Sequence, residues 1–344
     1  MKKIAVIGAG AWGTALAIVF GRQHTHRVHL WAYEPKVRES ILARRTNDLF
    51  LPGFPIPETV IPTNSFEEAL AGSDFVVSVM PSHHCRRLFQ QMAPWLTSQL
   101  QFVSATKGVE NDTLLCMDQV ITAVVREHCG FAPRIGALSG PSFAREVSRG
   151  DPTAITIASQ DDELAHAVQA EFSDPSFRIY TSDDIVGVQL GGALKNVIAI
   201  AAGVCEGIGL GFNTIAALIT RGLAEITRLA VAAGARAETM AGLAGMGDLV
   251  LTCTGGLSRN RTLGVELGRG KQLEEIIAGM HGMVAEGVLT ANAARDLAHK
   301  LGIEMPITEQ IHAILHEHKA PREAIRELMT RPATSEINLR AGSR

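Results

Sequence analysis

The sequence lacks an excess of charge of either sign: 32 basic residues stand against 35 acidic ones, a formal net charge of -3. That balance argues against a dedicated nucleic-acid binder, whose phosphate partner calls for a strongly basic face. An uninterrupted apolar run is also missing. The most apolar stretch, 185–219, is broken by Lys195, Asn196, Glu206, Asn213 and several glycines. A spanning helix needs about 20 mostly uncharged residues, so no membrane span is expected. Cysteine is sparse. Cys85, Cys116, Cys129, Cys205 and Cys253 form no CxxC pair and are odd in number, which excludes a disulfide framework or a zinc knuckle as the organising device. There is no internal repeat and no low-complexity segment. Behind Met1, Lys2 and Lys3 the apolar segment carries a glycine pattern and no clear cleavage site of small residues. The expected compartment is therefore the cytoplasm.

What is present is a globular composition, with 46% hydrophobic and 19% charged residues over 344 positions. That length suits about two domains. In the first half, short apolar runs at 4–7, 27–31, 74–80, 101–104, 135–138 and 154–158 alternate with helical stretches. Such βαβα alternation predicts a doubly wound parallel sheet with helices on both faces, an α/β domain. From about Asp184 the strand signals stop. Ile215, Leu218, Ile219, Leu223, Ile226 and Ala230 recur at helical spacing. On another face Arg221, Glu225 and Arg228 stand at spacings that allow ion pairs. Further helices are expected at 273–279, 289–301 and 307–318. The expected division is a dinucleotide-binding domain at 1–185, an all-helical domain at 186–338, and a loose tail at 339–344. Thr181, Ser182, Asp183 and Asp184 stand where a helix cap is needed.

Gly8, Gly10 and Gly13 have the GxGxxG spacing, after the first strand and before an apolar helix. In that context Gly8 permits the tight turn, Gly10 lets the backbone approach a pyrophosphate, and Gly13 lets helix and strand pack closely. The spacing predicts a bound dinucleotide. Glu34 follows the second strand, near the spacing of a ribose-binding acid. A carboxylate there accepts from ribose hydroxyls and repels a 2′-phosphate, which favours NAD over NADP. Glu34 also reads as a plain solvated residue before a helix.

Lys195 is the most informative residue, because its neighbours are small or apolar on nearly every side. Such a lysine either snorkels outward or points into a site. Burial would lower its pKa and let it move a proton near neutrality. Gly191 and Gly192 weaken the helix around it and allow a close approach. Asn196 is placed to orient the amine or a substrate. Lys107, and the Gly140 to Ser142 turn, each follow a strand, at the sheet edge where such folds bind ligands. Asp248 is set among glycines and apolar residues and needs partners if buried. Ser258, Arg259, Asn260 and Arg261 open a predicted helix suited to phosphate. His83 and His84 follow the fourth strand. His312 and His316 have an i, i+4 spacing but no third ligand, so no metal is expected. The 47–57 loop is a candidate border of the cofactor cleft.

These segments together resemble the bacterial NAD(P)-dependent glycerol-3-phosphate dehydrogenases. The resemblance runs through GAGAWGTALA (8–17), NDLFLPG (47–53), SATKG (104–108), LSGPSFAREV (138–147), LGGALKNVIAIAAG (190–203), NTIAALITRGLAE (213–225), GLAGMGDLVLTCT (242–254), SRNRTLG (258–264) and MVAEGV (283–288). It implies a Rossmann-type domain followed by an all-helical domain. It also implies reversible hydride transfer between NAD(P)H and dihydroxyacetone phosphate, which in the family feeds glycerophospholipid synthesis. By motif, Lys195 matches the catalytic proton acceptor. Lys107, Gly140, Ser142, Asp248, Ser258, Arg259 and Asn260 match substrate-binding positions. Cofactor positions correspond to Gly8, Gly10, Ala11, Trp12, Gly13, Tyr33, Lys107, Ala144, Arg259, Val284 and Glu286. Three departures stand out: Tyr33 and Glu34 where bacterial members often carry arginine, Ala11 where many have serine, and His281-Gly282 lengthening the approach to MVAEGV by one residue. The first weakens an NADP preference and leans towards NAD(H). The expected partner is a small-molecule substrate. The apolar helices of the second half are compatible with a homodimer interface, and equally with a core. Two other functions compatible with the residues alone are a hydroxyacid dehydrogenase for a carboxylate substrate and a non-catalytic nucleotide sensor.

Overall fold

A computed structural model describes residues 1–280, 285–333 and 335–336. The expected tail at 339–344 lies outside the described residues. Strands β1 (Lys2–Ile7), β2 (His26–Trp31), β3 (Val60–Thr63), β4 (Phe75–Ser78), β5 (Gln101–Ser104), β6 (Arg134–Ser139), β7 (Thr153–Ala158) and β8 (Phe177–Ser182) form one sheet in the order 3-2-1-4-5-6-7-8. The first six follow the doubly wound dinucleotide order. Helices α1 (Ala11–Arg22), α2 (Pro35–Arg44), α3 (Phe66–Leu70), α4 (Cys85–Met92), α5 (Met117–Cys129), α6 (Ala144–Arg149) and α7 (Asp162–Phe172) connect the strands. The sheet is buried on both sides, and β1 shows how. Ile4 and Val6 pack with α1 in one apolar cluster, while Ala5 and Ile7 join α4 and α5 residues in another. That is the period of two that a pleated strand imposes.

The sheet departs from the expected all-parallel pattern at one place: β6 and β7 pair antiparallel, whereas β7 and β8 pair parallel. The connection through the six-residue α6 leaves β7 running opposite to β6, and the connection through the 11-residue α7 returns the chain to a parallel start. Two strands lack a clear signal in the sequence, and both are edges of the sheet. β3 carries Pro62, which an edge strand tolerates, and β8 is half polar, with Arg178 and Tyr180 facing outward.

Past β8, Asp184 caps α8 (Ile185–Ile208), accepting from Gly187 N at 2.9 Å, and also from Arg236 N and Thr239 Oγ1. The helical part then continues with α9 (Phe212–Ala232), α10 (Ala237–Met240), α11 (Asp248–Thr254), α12 (Arg259–Gly268), α13 (Leu273–Gly279), α14 (Glu286–Leu301), α15 (Pro306–His316) and α16 (Pro321–Met329). α8 is long and apolar enough to cross a membrane, but 94% of its most apolar window is buried inside the protein. It is the core helix that the others surround. The closest approach is that of α12. A Cβ on Gly203 would stand 2.0 Å from Arg261 O, and one on Gly264 would stand 2.1 Å from Ile200 O. Glycine at these positions lets the two backbones touch, and this fixes Asn260 against the middle of α8.

The ion pairs expected along α9 do not form. Glu225 is only 2% exposed and turns inward, accepting from Ile307 N at 2.7 Å and Thr308 N at 3.3 Å. Arg221 and Arg228 donate instead to backbone carbonyls of Glu336 and Glu304. The orphan amides that start α15 attract the carboxylate more effectively than a solvated arginine does. Burial pushes the Glu225 carboxyl up to about 7, against the pull of those amides.

Candidate active site

Three segments converge at the carboxyl edge of the sheet. The loop after β5 brings Lys107, the loop after β6 brings Gly140 and Ser142, and the helical part brings Lys195 from α8 and Asp248 from the start of α11. Gly140 has φ +147, and a Cβ there would meet Ile155 Cα at 2.9 Å, so the turn requires glycine. Asp248 follows a π-turn at Leu243–Gly247, a local irregularity common at functional sites. Gly191 allows this turn to lie on α8, since a Cβ there would stand 2.6 Å from Ala244 O. A Cβ on Gly192 would be 2.3 Å from Ser139 Oγ. The two glycines expected to permit a close approach thus admit the Asp248 turn and the end of β6.

Asp248 is 1% exposed and its carboxylate is shared between two lysines. Oδ1 accepts from Lys195 Nζ, and Oδ2 accepts from Lys107 Nζ at 2.7 Å. Lys107 Nζ also donates to Gly140 O at 3.2 Å, which Ser142 Oγ approaches at 3.1 Å. Lys195 is 7% exposed, so it points into the site and does not snorkel. Burial lowers its pKa to about 7; Asp248 opposes that shift and the Lys107 charge adds to it. A lysine balanced near neutrality beside a second cation is suited to moving a proton on and off an oxygen that gains negative charge.

The α12 residues line an adjoining side. Ser258 caps the helix, its hydroxyl accepting from Arg261 N at 3.2 Å. Asn260 Nδ2 donates to Asn196 Oδ1 at 3.0 Å, and Asn260 Oδ1 accepts from Gly287 N at 2.9 Å. One amide thus ties α12 to α8 beside Lys195 and to the start of α14. Arg259 is exposed and makes no hydrogen bond to a described residue, so its guanidinium is available to an anion. Glu286, the first residue of α14, reaches the loop after β4, accepting from Ser82 Oγ at 2.8 Å and Ser82 N at 3.3 Å. Its surroundings raise its pKa by desolvation, against the pull of Ser82 and the Arg259 charge. Val284 lies outside the described residues.

The glycine loop has the shape a dinucleotide needs. A Cβ on Gly8 (φ +120) would meet Val79 O at 2.7 Å, and one on Gly13 would stand 1.8 Å from Gly8 O. By contrast, nothing lies within 4 Å of the Cβ position at Gly10. That residue is the N-cap of α1 and has no side chain to satisfy the first-turn amides. The open face and free donors fit a pyrophosphate. Ala11, Trp12 and Ala144 pack against one apolar cluster beside it, and the buried Trp12 Nε1 has no partner among the described residues. Tyr33 is 68% exposed at the end of β2, its ring 6.3 Å from that of Trp31. Glu34 caps α2 without a side-chain hydrogen bond, which leaves its carboxylate uncommitted.

Two residues of this region are not singled out by the sequence pattern. Ser82 holds Glu286, and its signal is available: it follows a strand at the same sheet edge as Ser142. Asn47, wholly buried, holds the glycine loop; only its place in the NDLFLPG segment hints at that. The 47–57 loop is thus tied to the glycine loop through its first residue. The rings of His83 and His84 lie 3.9 Å apart, tilted by 54°, just after Ser82. His312 Nδ1 lies 3.0 Å from an Arg295 nitrogen, a cationic neighbour that disfavours a metal ion.

Family models match both parts of the chain: the N-terminal part of NAD-dependent glycerol-3-phosphate dehydrogenase at residues 3–165, and its C-terminal part at residues 184–326. A relative from Koribacter versatilis named glycerol-3-phosphate dehydrogenase [NAD(P)+] is 68% identical over 98% of this chain and 99% of its own length. One of the same name from Geobacter sulfurreducens is 55% identical over 97% and 99%. The crystal structure of glycerol-3-phosphate dehydrogenase from Coxiella burnetii superposes with a TM-score of 0.90 at 39% identity, covering 96% of this chain and 99% of that one. The chain belongs to the NAD-dependent glycerol-3-phosphate dehydrogenase family.

Proposed function

We propose that the protein catalyses reversible hydride transfer between NAD(P)H and dihydroxyacetone phosphate, giving sn-glycerol 3-phosphate for glycerophospholipid synthesis. The observation that carries this reading is the Asp248 carboxylate held between Lys195 and Lys107, at the carboxyl edge of the sheet whose first strand ends in the glycine loop. The dinucleotide, when bound, supplies or accepts the hydride. In the reductive direction Lys195 delivers a proton to the C2 oxygen as C2 gains the hydride, and in the oxidative direction it removes that proton. Lys107 stabilises charge building on the same oxygen. Arg259, with Ser258 and Asn260 at the N-terminus of α12, holds the phosphate, and Gly140 and Ser142 border the carbonyl end of the substrate. Gly8, Gly10, Ala11, Trp12, Gly13, Tyr33, Ala144 and Glu286 line the cofactor cleft, which Lys107 and Arg259 share. Asn196 and Asn260 bond to each other and hold α12 against α8 beside Lys195.

The test is oxidation of NADH and NADPH, followed at 340 nm with dihydroxyacetone phosphate and, in parallel, with carboxylated carbonyl compounds. No turnover of dihydroxyacetone phosphate by the folded protein with either cofactor would end this reading. The same assay settles cofactor choice. Glu34 stands free at the end of β2, where it favours NADH. Glu34→Arg is expected to move the ratio of kcat/KM values towards NADPH by about tenfold or more, as an arginine pairs with the 2′-phosphate. An unchanged ratio would show that Glu34 does not face the ribose.

A division into units at 1–185 and 186–338 is supported by Asp184, which starts α8 where the last strand ends. All five thiols are free, four of them buried, which supports a reducing compartment such as the cytoplasm. A homodimer is supported by apolar side chains left outside on α9, with Phe212 92% and Val231 44% exposed. Light scattering of the purified protein tests it.

A further inference from the structure

Asn47 is 0% exposed, yet none of its amide hydrogens is spent on its own loop. Nδ2 donates to Ala9 O at 2.8 Å and to Thr14 Oγ1 at 2.8 Å. Thr14 Oγ1 itself lies 3.3 Å from Ala9 O, so two side chains converge on one carbonyl. Oδ1 accepts from Phe50 N at 3.1 Å, and Leu51 N bonds to Asn47 O, which anchors the residue from behind. Burying a primary amide is unfavourable unless every group is paired. Here the pairing is directed at a single peptide, the one joining Ala9 to Gly10.

That peptide is trans, so its carbonyl and its N–H point in opposite directions. Drawing Ala9 O inward towards Asn47 and Thr14 therefore turns the Gly10 N–H outward. The outward side is the open one, where nothing stands within 4 Å of the Gly10 Cβ position and where α1 begins. A flipped peptide would instead present a carbonyl oxygen to an incoming anion.

We propose that Asn47, with Thr14, is a positioning residue that sets the Gly10 amide towards the diphosphate of the dinucleotide. It acts through the Ala9 carbonyl and touches neither cofactor nor substrate. The inference rests on the dinucleotide reading of the glycine loop. Asn47 belongs to a segment 33 residues downstream of Thr14, so a loop outside the GxGxxG turn prepares that turn for its ligand.

The test is NADH binding by fluorescence titration, with ADP-ribose as competitor, for the wild type, Asn47→Ala, Asn47→Asp and Thr14→Val. Asn47→Ala is expected to raise the Kd of NADH and of ADP-ribose, and the KM for NADH, by about tenfold, the scale of a hydrogen bond to a charged group. The kcat at saturating NADH is expected to stay near the wild-type value. Asn47→Asp separates positioning from anchoring. It keeps the acceptor for Phe50 N but loses the donor to Ala9 O, so it is expected to bind NADH no better than Asn47→Ala. A merely structural role predicts that Asn47→Asp restores binding, or that the thermal midpoint falls while Kd is unchanged; either result would overturn the proposal. If the Asn47 variants do not fold, Thr14→Val decides: it is expected to weaken NADH binding in the same direction, and an unaltered Kd would refute the proposal. A wild-type protein that binds no NADH would instead remove the dinucleotide reading itself.

Discussion

Replacing Lys195 with Ala is expected to lower kcat by roughly 100- to 10,000-fold, the range for loss of a positioned general acid or base, while NADH binding persists. The size of the effect follows from the surroundings. The lysine is buried in the middle of α8 and its ammonium is held by Asp248. Its pKa of about 7 also fixes a pH signature. Reduction needs the protonated amine, so its rate is expected to be highest below about 7 and to fall as pH rises through that value. Oxidation needs the free amine, so its rate is expected to rise through the same pH. The measurement is a pair of pH–rate profiles in the two directions. Identical profiles, or a Lys195→Ala variant with near-normal kcat, would show that another group moves the proton.

Lys195 is legible in the sequence as an anomaly, because a charge among Gly191, Gly192, Ala193 and Val197 conflicts with local consistency. What the sequence does not carry is its orientation. A snorkelling lysine and a site lysine share the same neighbours in the chain. Asp248 decides between them, and it lies 53 residues away. The same limit applies to Glu225. Its helical spacing to Arg221 and Arg228 points to surface ion pairs, but the start of α15, 82 residues on, offers buried amides instead. Local chemistry is legible where the partner is close in sequence: the glycine loop, the Asp184 cap and the Ser258 cap. The strands follow the same rule. Those buried on both faces are nearly continuous apolar runs and stand out, whereas β3, with its Pro62, and the half-polar β8 do not. The antiparallel step from β6 to β7 is a matter of pairing direction, and periodicity alone does not carry that information.

Asp248→Asn is expected to have the second largest effect, and its direction is distinctive. The substitution keeps shape and removes charge. Two ammonium groups would then share a buried site without their anion. Removing one partner of a buried pair costs about 3–5 kcal/mol, and here Lys195 can relieve part of that by releasing its proton. Asp248 holds the Lys195 pKa up, so its loss is expected to carry that pKa below 7. The acid form would be scarce at neutral pH, the reductive kcat would drop, and the pH profile would move in the acid direction. Lys107→Met supplies the opposite sign, because the Lys107 charge lowers the Lys195 pKa and its removal would let it rise. The two variants therefore bracket the wild type: one profile moves to lower pH, the other to higher. A structural role for Asp248, merely tying α11 to the sheet edge, would change the urea midpoint of both variants without separating their profiles. Two profiles that coincide with that of the wild type would mean that the carboxylate does not set the charge of the lysine.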